Sequence, residues 1–176
     1  MSALVYLTIF LSGLWLISEV VVSIIKRSTA GAKRQDRLSY LLIWLSFFIS
    51  IQAAVNLKLY VPFVRKVGSI TLLAPFLGYC GCVIIVAGLV IRWIAILTLG
   101  NLFTVQVVIA KYHRVIDHGI YRTLRHPSYL GSLICFLGAG LAIENWLCLI
   151  VLVVLPLSAF IYRISVEERT LLRVRP

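Results

Sequence analysis

Two apolar runs decide the fold: PSYLGSLICFLGAGLAI at residues 127–143 and WLCLIVLVVLPLSAFIYRI at residues 146–164, with only Glu144 and Asn145 between them. Each approaches the roughly 20 apolar residues that a helix needs to cross a hydrocarbon core of about 30 Å. A polar break this short implies a reversal, so the pair reads as an antiparallel helical hairpin. Working outward, residues 4–25, 38–57 and 70–97 supply three further runs of the same kind. The expected fold is all-α: a polytopic integral membrane protein with about five transmembrane helices, the last two forming the hairpin. Residues 1–99 hold helices 1 to 3 and residues 100–176 hold a long polar loop, the hairpin and a charged tail, all within one integrated membrane domain.

Composition agrees. Of 176 residues, 61% are hydrophobic and 13% charged, against about a quarter charged in soluble domains, which excludes a water-soluble globule. The first run carries its basic residues, Lys26 and Arg27, after it and has no Ala-x-Ala-like site, so it is expected to be a retained helix and not a secretory signal. Cys80, Cys82, Cys135 and Cys148 all fall in apolar runs, which disfavours a disulfide framework.

The 17 Lys and Arg outnumber the 6 Asp and Glu, giving a net charge of +11. On a soluble domain this would suggest nucleic acid. Here the basic residues flank the apolar runs, and no nucleic-acid partner is expected. Thirteen of them fall in the first polar loop, the long loop and the tail, three (Lys58, Arg65, Lys66) lie on the opposite side, and Arg92 lies within a span. The positive-inside rule then places the long loop and tail in the cytosol and the N-terminus outside.

The densest polar constellation is Gly119-Ile-Tyr-Arg-Thr-Leu-Arg-His-Pro-Ser-Tyr-Leu-Gly131, where the long loop enters the hairpin. Pro127 suits the first turn of a helix and biases His126 away from helix. The turn leaves free backbone N–H groups and a positive dipole end able to receive a carboxylate, with His126, Ser128 and Tyr129 around it. A second constellation, Arg163-Ile-Ser-Val-Glu167-Glu168, ends the hairpin; Arg163 and Glu167 are four apart and share a helical face. A plain ion pair there, and a plain basic and aromatic membrane anchor at His126, are the competing structural accounts. Both constellations emerge on the same side.

Arg-His-Pro-Ser-Tyr-Leu-Gly after Gly-Ile-Tyr, followed by Arg-x-x-x-Glu-Glu-x-x-Leu, resembles the isoprenylcysteine carboxyl methyltransferases and their bacterial relatives, over residues 100–172. The resemblance implies an integral-membrane enzyme that uses S-adenosylmethionine (SAM), methyl-esterifying the carboxylate of a prenylcysteine-like or other lipophilic substrate drawn from the membrane lipids. It puts Gln106, His113, Arg114, Val115, Ile116, Tyr121, His126, Pro127, Ser128 and Tyr129 on cofactor-contact positions. It makes Glu167 the cofactor-binding acid and Arg163 the arginine of the substrate carboxylate, and these two are the candidate catalytic residues. Arg114 and Ile116 depart from the residue types usual there. The family pattern runs on into a Phe-Gly and Tyr-rich tail, whereas this sequence reads Arg173-Val-Arg-Pro176. The implied location is multi-pass, in a bacterial inner membrane or the endoplasmic reticulum, with the site facing the cytosol.

The chemistry is consistent with that inventory. A carboxylate is already ionised at pH 7, so its methylation needs no general base, only positioning and charge. Phospholipid amine methylation, an NADPH-dependent reductase of the sterol-reductase type and a non-catalytic scaffold are the rival readings. His113, His118 and His126 match no zinc-ligand spacing, and no metal is expected. Cys80-Gly-Cys82 and Gly138-Ala-Gly140 read as close-packing sites between helices. Glu19 and Arg92 are ionisable groups inside spans; a Glu19–Arg92 pair is the minor expectation, and snorkelling of each to the interface the major one.

Overall fold

The computed structural model describes residues 3–25, 37–70, 74–100 and 118–174. Its elements are α1 (Ala3–Ile25), α2 (Arg37–Tyr60), the short α3 (Pro62–Val67), α4 (Ala74–Leu99), α5 (Pro127–Ala142) and α6 (Trp146–Val174), with a 3₁₀ turn at Gly119–Arg122. Helices satisfy their interior N–H and C=O groups within one segment, as a medium without water demands. α1, α2, α4 and α6 are long and apolar enough to cross a membrane. α5 has 16 residues and spans only about 24 Å at the α-helical rise, so the expected fourth span is shorter than a full crossing.

The Glu144-Asn145 break is a locked reversal. α5 closes at Ile143, after which Glu144 takes a left-handed φ of 57°, the conformation that commonly ends a helix. Asn145 then opens α6, its Oδ1 accepting from the Leu147 and Cys148 amides at 3.1 Å, and its Nδ2 donates to Val64 O at 2.9 Å. The connection between α2 and α4 contains a short helix, α3, with Pro62 in its first turn. It lies against the reversal: the Trp146 amide donates to Gly68 O and the Ile70 amide to Glu144 O, both at 3.0 Å. Lys58 also donates to Ile143 O. The opposite end therefore gathers the starts of α2 and α5 and the last turns of α1, α4 and α6.

α4 and α5 meet through two facing glycine pairs. A Cβ on Gly88 would lie 2.7 Å from Gly131 O, and one on Gly138 would lie 2.6 Å from Gly81 O. Gly81 and Gly88, like Gly131 and Gly138, are seven residues apart, two turns along each helix, so one bare seam faces another. This is the close packing expected of the small residues. On the other side of α5, Trp15, Phe47, Phe136 and Phe160 form an edge-to-face column, with Trp15–Phe136 centroids 4.5 Å apart and Phe47–Phe136 4.7 Å apart. Tyr129 stacks on Phe160 at 5.1 Å. The aromatic core thus fixes α1, α2, α5 and α6 around one polar ring.

Candidate active site

Tyr129, in the first turn of α5, stands between the two constellations. Its hydroxyl donates to Glu167 Oε1 at 3.2 Å and accepts from Arg163 Nε at 3.3 Å. His126 stacks on Tyr129 with ring centroids 5.8 Å apart, and its Nδ1 lies 3.7 Å from Glu167 Oε2. Arg163 Nε is 4.0 Å from Glu167 Oε1, as expected for residues one turn apart. Two segments 34 or more residues apart thus converge on one carboxylate.

The convergence follows from helix length. From the reversal, α5 rises about 24 Å to Pro127, and α6 rises about as far to reach Arg163. Because α6 continues to Val174, Glu167 sits one turn beyond and overhangs the start of α5. His126 is the N-cap residue, with φ −130° and ψ 58°, and no side chain caps the helix. Its first-turn amides are therefore not engaged by a side-chain cap, which suits an anionic group. Tyr121, in the 3₁₀ turn, lies within the field of the same groups: burial, then Glu167, push its phenol up to about 12, and Arg92 opposes the shift.

Other expected positions divide. Pro127 and Ser128 are buried, and Ser128 faces Arg92, which takes both its carbonyl and its hydroxyl. Gln106, His113, Arg114, Val115 and Ile116 lie outside the described residues. Arg163 is fully buried, and its Nη1 donates to Ser39 Oγ at 2.6 Å. Ser39 is a member of the site that the sequence reading missed; its one signal was a polar residue in an apolar run, on the same side as Arg163. Glu19 and Arg92 do not snorkel. They form a buried ion pair, because α1 and α4 bring them to the same depth behind α5.

Four membrane-length helices, a shorter apolar one and a polar ring at one end define a polytopic integral membrane protein with a candidate site at its helix ends. The profile of the isoprenylcysteine carboxyl methyltransferase family matches residues 80–173, more than half of the sequence and both constellations. The chain belongs to that family. Protein-S-isoprenylcysteine O-methyltransferase A of Arabidopsis thaliana is similar at 29% identity over 160 residues, covering 75% of this chain and 81% of its own. The "Probable protein-S-isoprenylcysteine O-methyltransferase" of Oryza sativa subsp. indica is 36% identical over 95 residues, 53% of this chain and 50% of its own. The Saccharomyces cerevisiae protein-S-isoprenylcysteine O-methyltransferase is 33% identical over 109 residues, 61% and 46% respectively. The chain thus spans about half the length of the rice and yeast relatives.

Proposed function

We propose that this chain is a SAM-dependent methyltransferase embedded in the membrane that esterifies the carboxylate of a prenylcysteine-like lipid substrate. The observation that carries the reading is the ring His126, Tyr129, Glu167 and Arg163, which sets one anion and one guanidinium side by side at the membrane-helix ends. These two charges suit two different guests. Glu167 favours the cationic cofactor, and its oxygens also accept from hydroxyl or amino groups; the α5 amides favour the cofactor's carboxylate. When bound, SAM supplies a methyl on a sulfonium sulfur, which passes to the carboxylate oxygen and leaves a neutral thioether.

Arg163 supplies the positive charge that draws the substrate carboxylate. Direct bidentate contact requires the Ser39 or Tyr129 hydroxyl to give up its place on the guanidinium. An apolar groove of about 340 Å³ lies between α2 and α6, lined by residues including Leu42, Leu45, Ile49, Leu155, Ala159 and Tyr162. Leu42 follows Ser39 by three residues and Ala159 precedes Arg163 by four, so by helical spacing the groove leads away from the Ser39–Arg163 contact. A guanidinium at the head of an apolar groove fits a carboxylate on a hydrocarbon chain. Residues 100–176 then carry the cofactor loop and the reacting end, and residues 1–99 supply the opposite groove wall. The excess of basic residues on this side supports a cytosolic orientation, in a bacterial inner membrane or the endoplasmic reticulum.

The test is methyl transfer from labelled SAM, in lipid nanodiscs, to N-acetyl-S-farnesylcysteine, palmitate and phosphatidylethanolamine side by side. Base-labile label on the farnesylcysteine is the expected result. Base-stable label on the phospholipid amine, or no transfer to any acceptor, would overturn the reading.

A further inference from the structure

Behind the ring lies a second polar network that the proposed chemistry does not use. Arg92 on α4 reaches in two directions: its Nη2 pairs with Glu19 Oε2 on α1, and its Nη1 donates to Ser128 O at 3.0 Å and to Ser128 Oγ at 2.9 Å. Glu19 is held in turn, its Oε1 accepting from Trp15 Nε1 at 3.1 Å and from Ser132 Oγ at 3.3 Å. Glu19 is 5% exposed and Arg92 8%. Arg92 Nε has no hydrogen-bond partner among the described residues.

A buried ion pair is weak evidence of stability, because desolvation offsets its attraction. Its placement argues for another role. Ser128 lies between His126 and Tyr129 in sequence, and the Arg92 fork grips both its backbone and its side chain. The grip comes from α4, while Tyr129 is held from the other side by Arg163 and Glu167 on α6. The first turn of α5 is therefore fixed from two directions. One is the ring itself, and the other makes no hydrogen bond or ion pair to a ring member among the described residues.

We propose that Glu19 and Arg92 are positioning residues: the pair clamps Ser128 and so sets the depth and rotation at which His126 and Tyr129 meet Glu167. The proposal rests on the methyltransferase reading for its kinetic consequence, not for its structural one. The geometry needs a fork, since one guanidinium terminus is spent on Glu19 and the other on Ser128. A lysine keeps the charge but offers a single point of attachment.

The experiment compares R92K with W93F in nanodiscs. Trp93 Nε1 donates to Ser18 Oγ at 2.9 Å, another hydrogen bond between α4 and α1, but among the described residues it makes no hydrogen bond to α5. For R92K, kcat per folded molecule is expected to fall about tenfold to hundredfold, the scale of a small misplacement of reacting groups, with the KM for SAM rising as well and the KM for farnesylcysteine changing little. W93F is expected to keep kcat within about twofold, because the bond it removes joins α4 to α1 without engaging Ser128. Hydrogen–deuterium exchange should rise in residues 126–132 of R92K and not in 146–160. If R92K is recovered unfolded, E19D, which also keeps both charges, is read by the same criteria. Unchanged kcat and exchange in the folded variant, or an equal loss in W93F, would overturn the proposal. Absence of methyl transfer by the unmodified protein would instead sink the methyltransferase reading, and the exchange measurement would still decide the clamp.

Discussion

Arg163 Nη1 donates to Ser39 Oγ at 2.6 Å, and both side chains are fully buried. The bond ties the last turns of α6 to the first turn of α2 across a separation of 124 residues. It occupies one terminal nitrogen of the guanidinium, while Nε is on the Tyr129 hydroxyl. Ser39→Ala is expected to lower unfolding free energy by about 1–3 kcal/mol, the usual cost of stripping a partner from a buried donor. Chemical denaturation in detergent checks the stability. In the kinetics, the KM for the carboxylate substrate should change more than the KM for SAM, because Ser39 meets the ring at Arg163.

Tyr129→Phe tests the centre of the ring. It keeps the stacking on Phe160 and removes the hydroxyl that joins Arg163 to Glu167. Losing hydrogen bonds to charged groups costs about 1.5–3 kcal/mol each. kcat/KM for methyl transfer is accordingly expected to fall by about tenfold or more, with the folded fraction preserved. Rates equal to those of the unmodified protein would show that the hydroxyl is a bystander.

The glycine seam makes a contrast in stability. Gly138→Ala would place a Cβ 2.6 Å from the Gly81 carbonyl and 2.7 Å from the Ile85 amide, both backbone atoms that cannot step aside. A loss of about 1–3 kcal/mol or more is expected from such overpacking. Gly13 on α1 has open space around its Cα. Gly13→Ala should leave the melting temperature unchanged or raise it, since alanine is the better helix former by about 1 kcal/mol. Thermal melts of both variants in one detergent give the comparison.

Tyr121 provides a pH signature. Its folded pKa of about 12 is raised above the ordinary value of 10 by burial first and then by Glu167. The folded state therefore holds this proton more tightly than the unfolded chain does. The associated stability is complete below pH 10 and is lost as pH rises through 12. The ultraviolet difference spectrum between the unmodified protein and Tyr121→Phe should show no phenolate signal from this residue at pH 10.5. A signal half developed at pH 10 would contradict the half-buried placement beside Glu167.

Much of the architecture was legible because apolar run length is a direct readout of span length, and the Glu144-Asn145 break allowed only a hairpin. The ring was legible in part. Arg163 and Glu167 share a helix face by spacing alone, and the His126-Pro127 pair marks a helix start. Their meeting through Tyr129 depends on α5 being shorter than α6, which spacing within one helix does not reveal. Ser39 was invisible because nothing local distinguishes a serine that holds an arginine from one that bonds its own helix, as Ser46 and Ser50 do. Glu19 and Arg92 stand out as charges within spans, for which snorkelling is the ordinary expectation. Pairing won because Ser128, Ser132 and Trp15 supply the additional hydrogen bonds that compensate a buried pair.

The central claim is that Glu167, held by Tyr129 and His126, forms the cofactor side of a methyl-transfer site. Its most direct test is the rate of base-labile label transfer from SAM to N-acetyl-S-farnesylcysteine by Glu167→Gln, measured at subsaturating SAM beside the unmodified protein. The expected result is active unmodified protein and a loss of about thirtyfold or more in the variant, the scale of removing one partner from a hydrogen-bonded charge cluster. Equal rates from a folded Glu167→Gln protein would contradict the account.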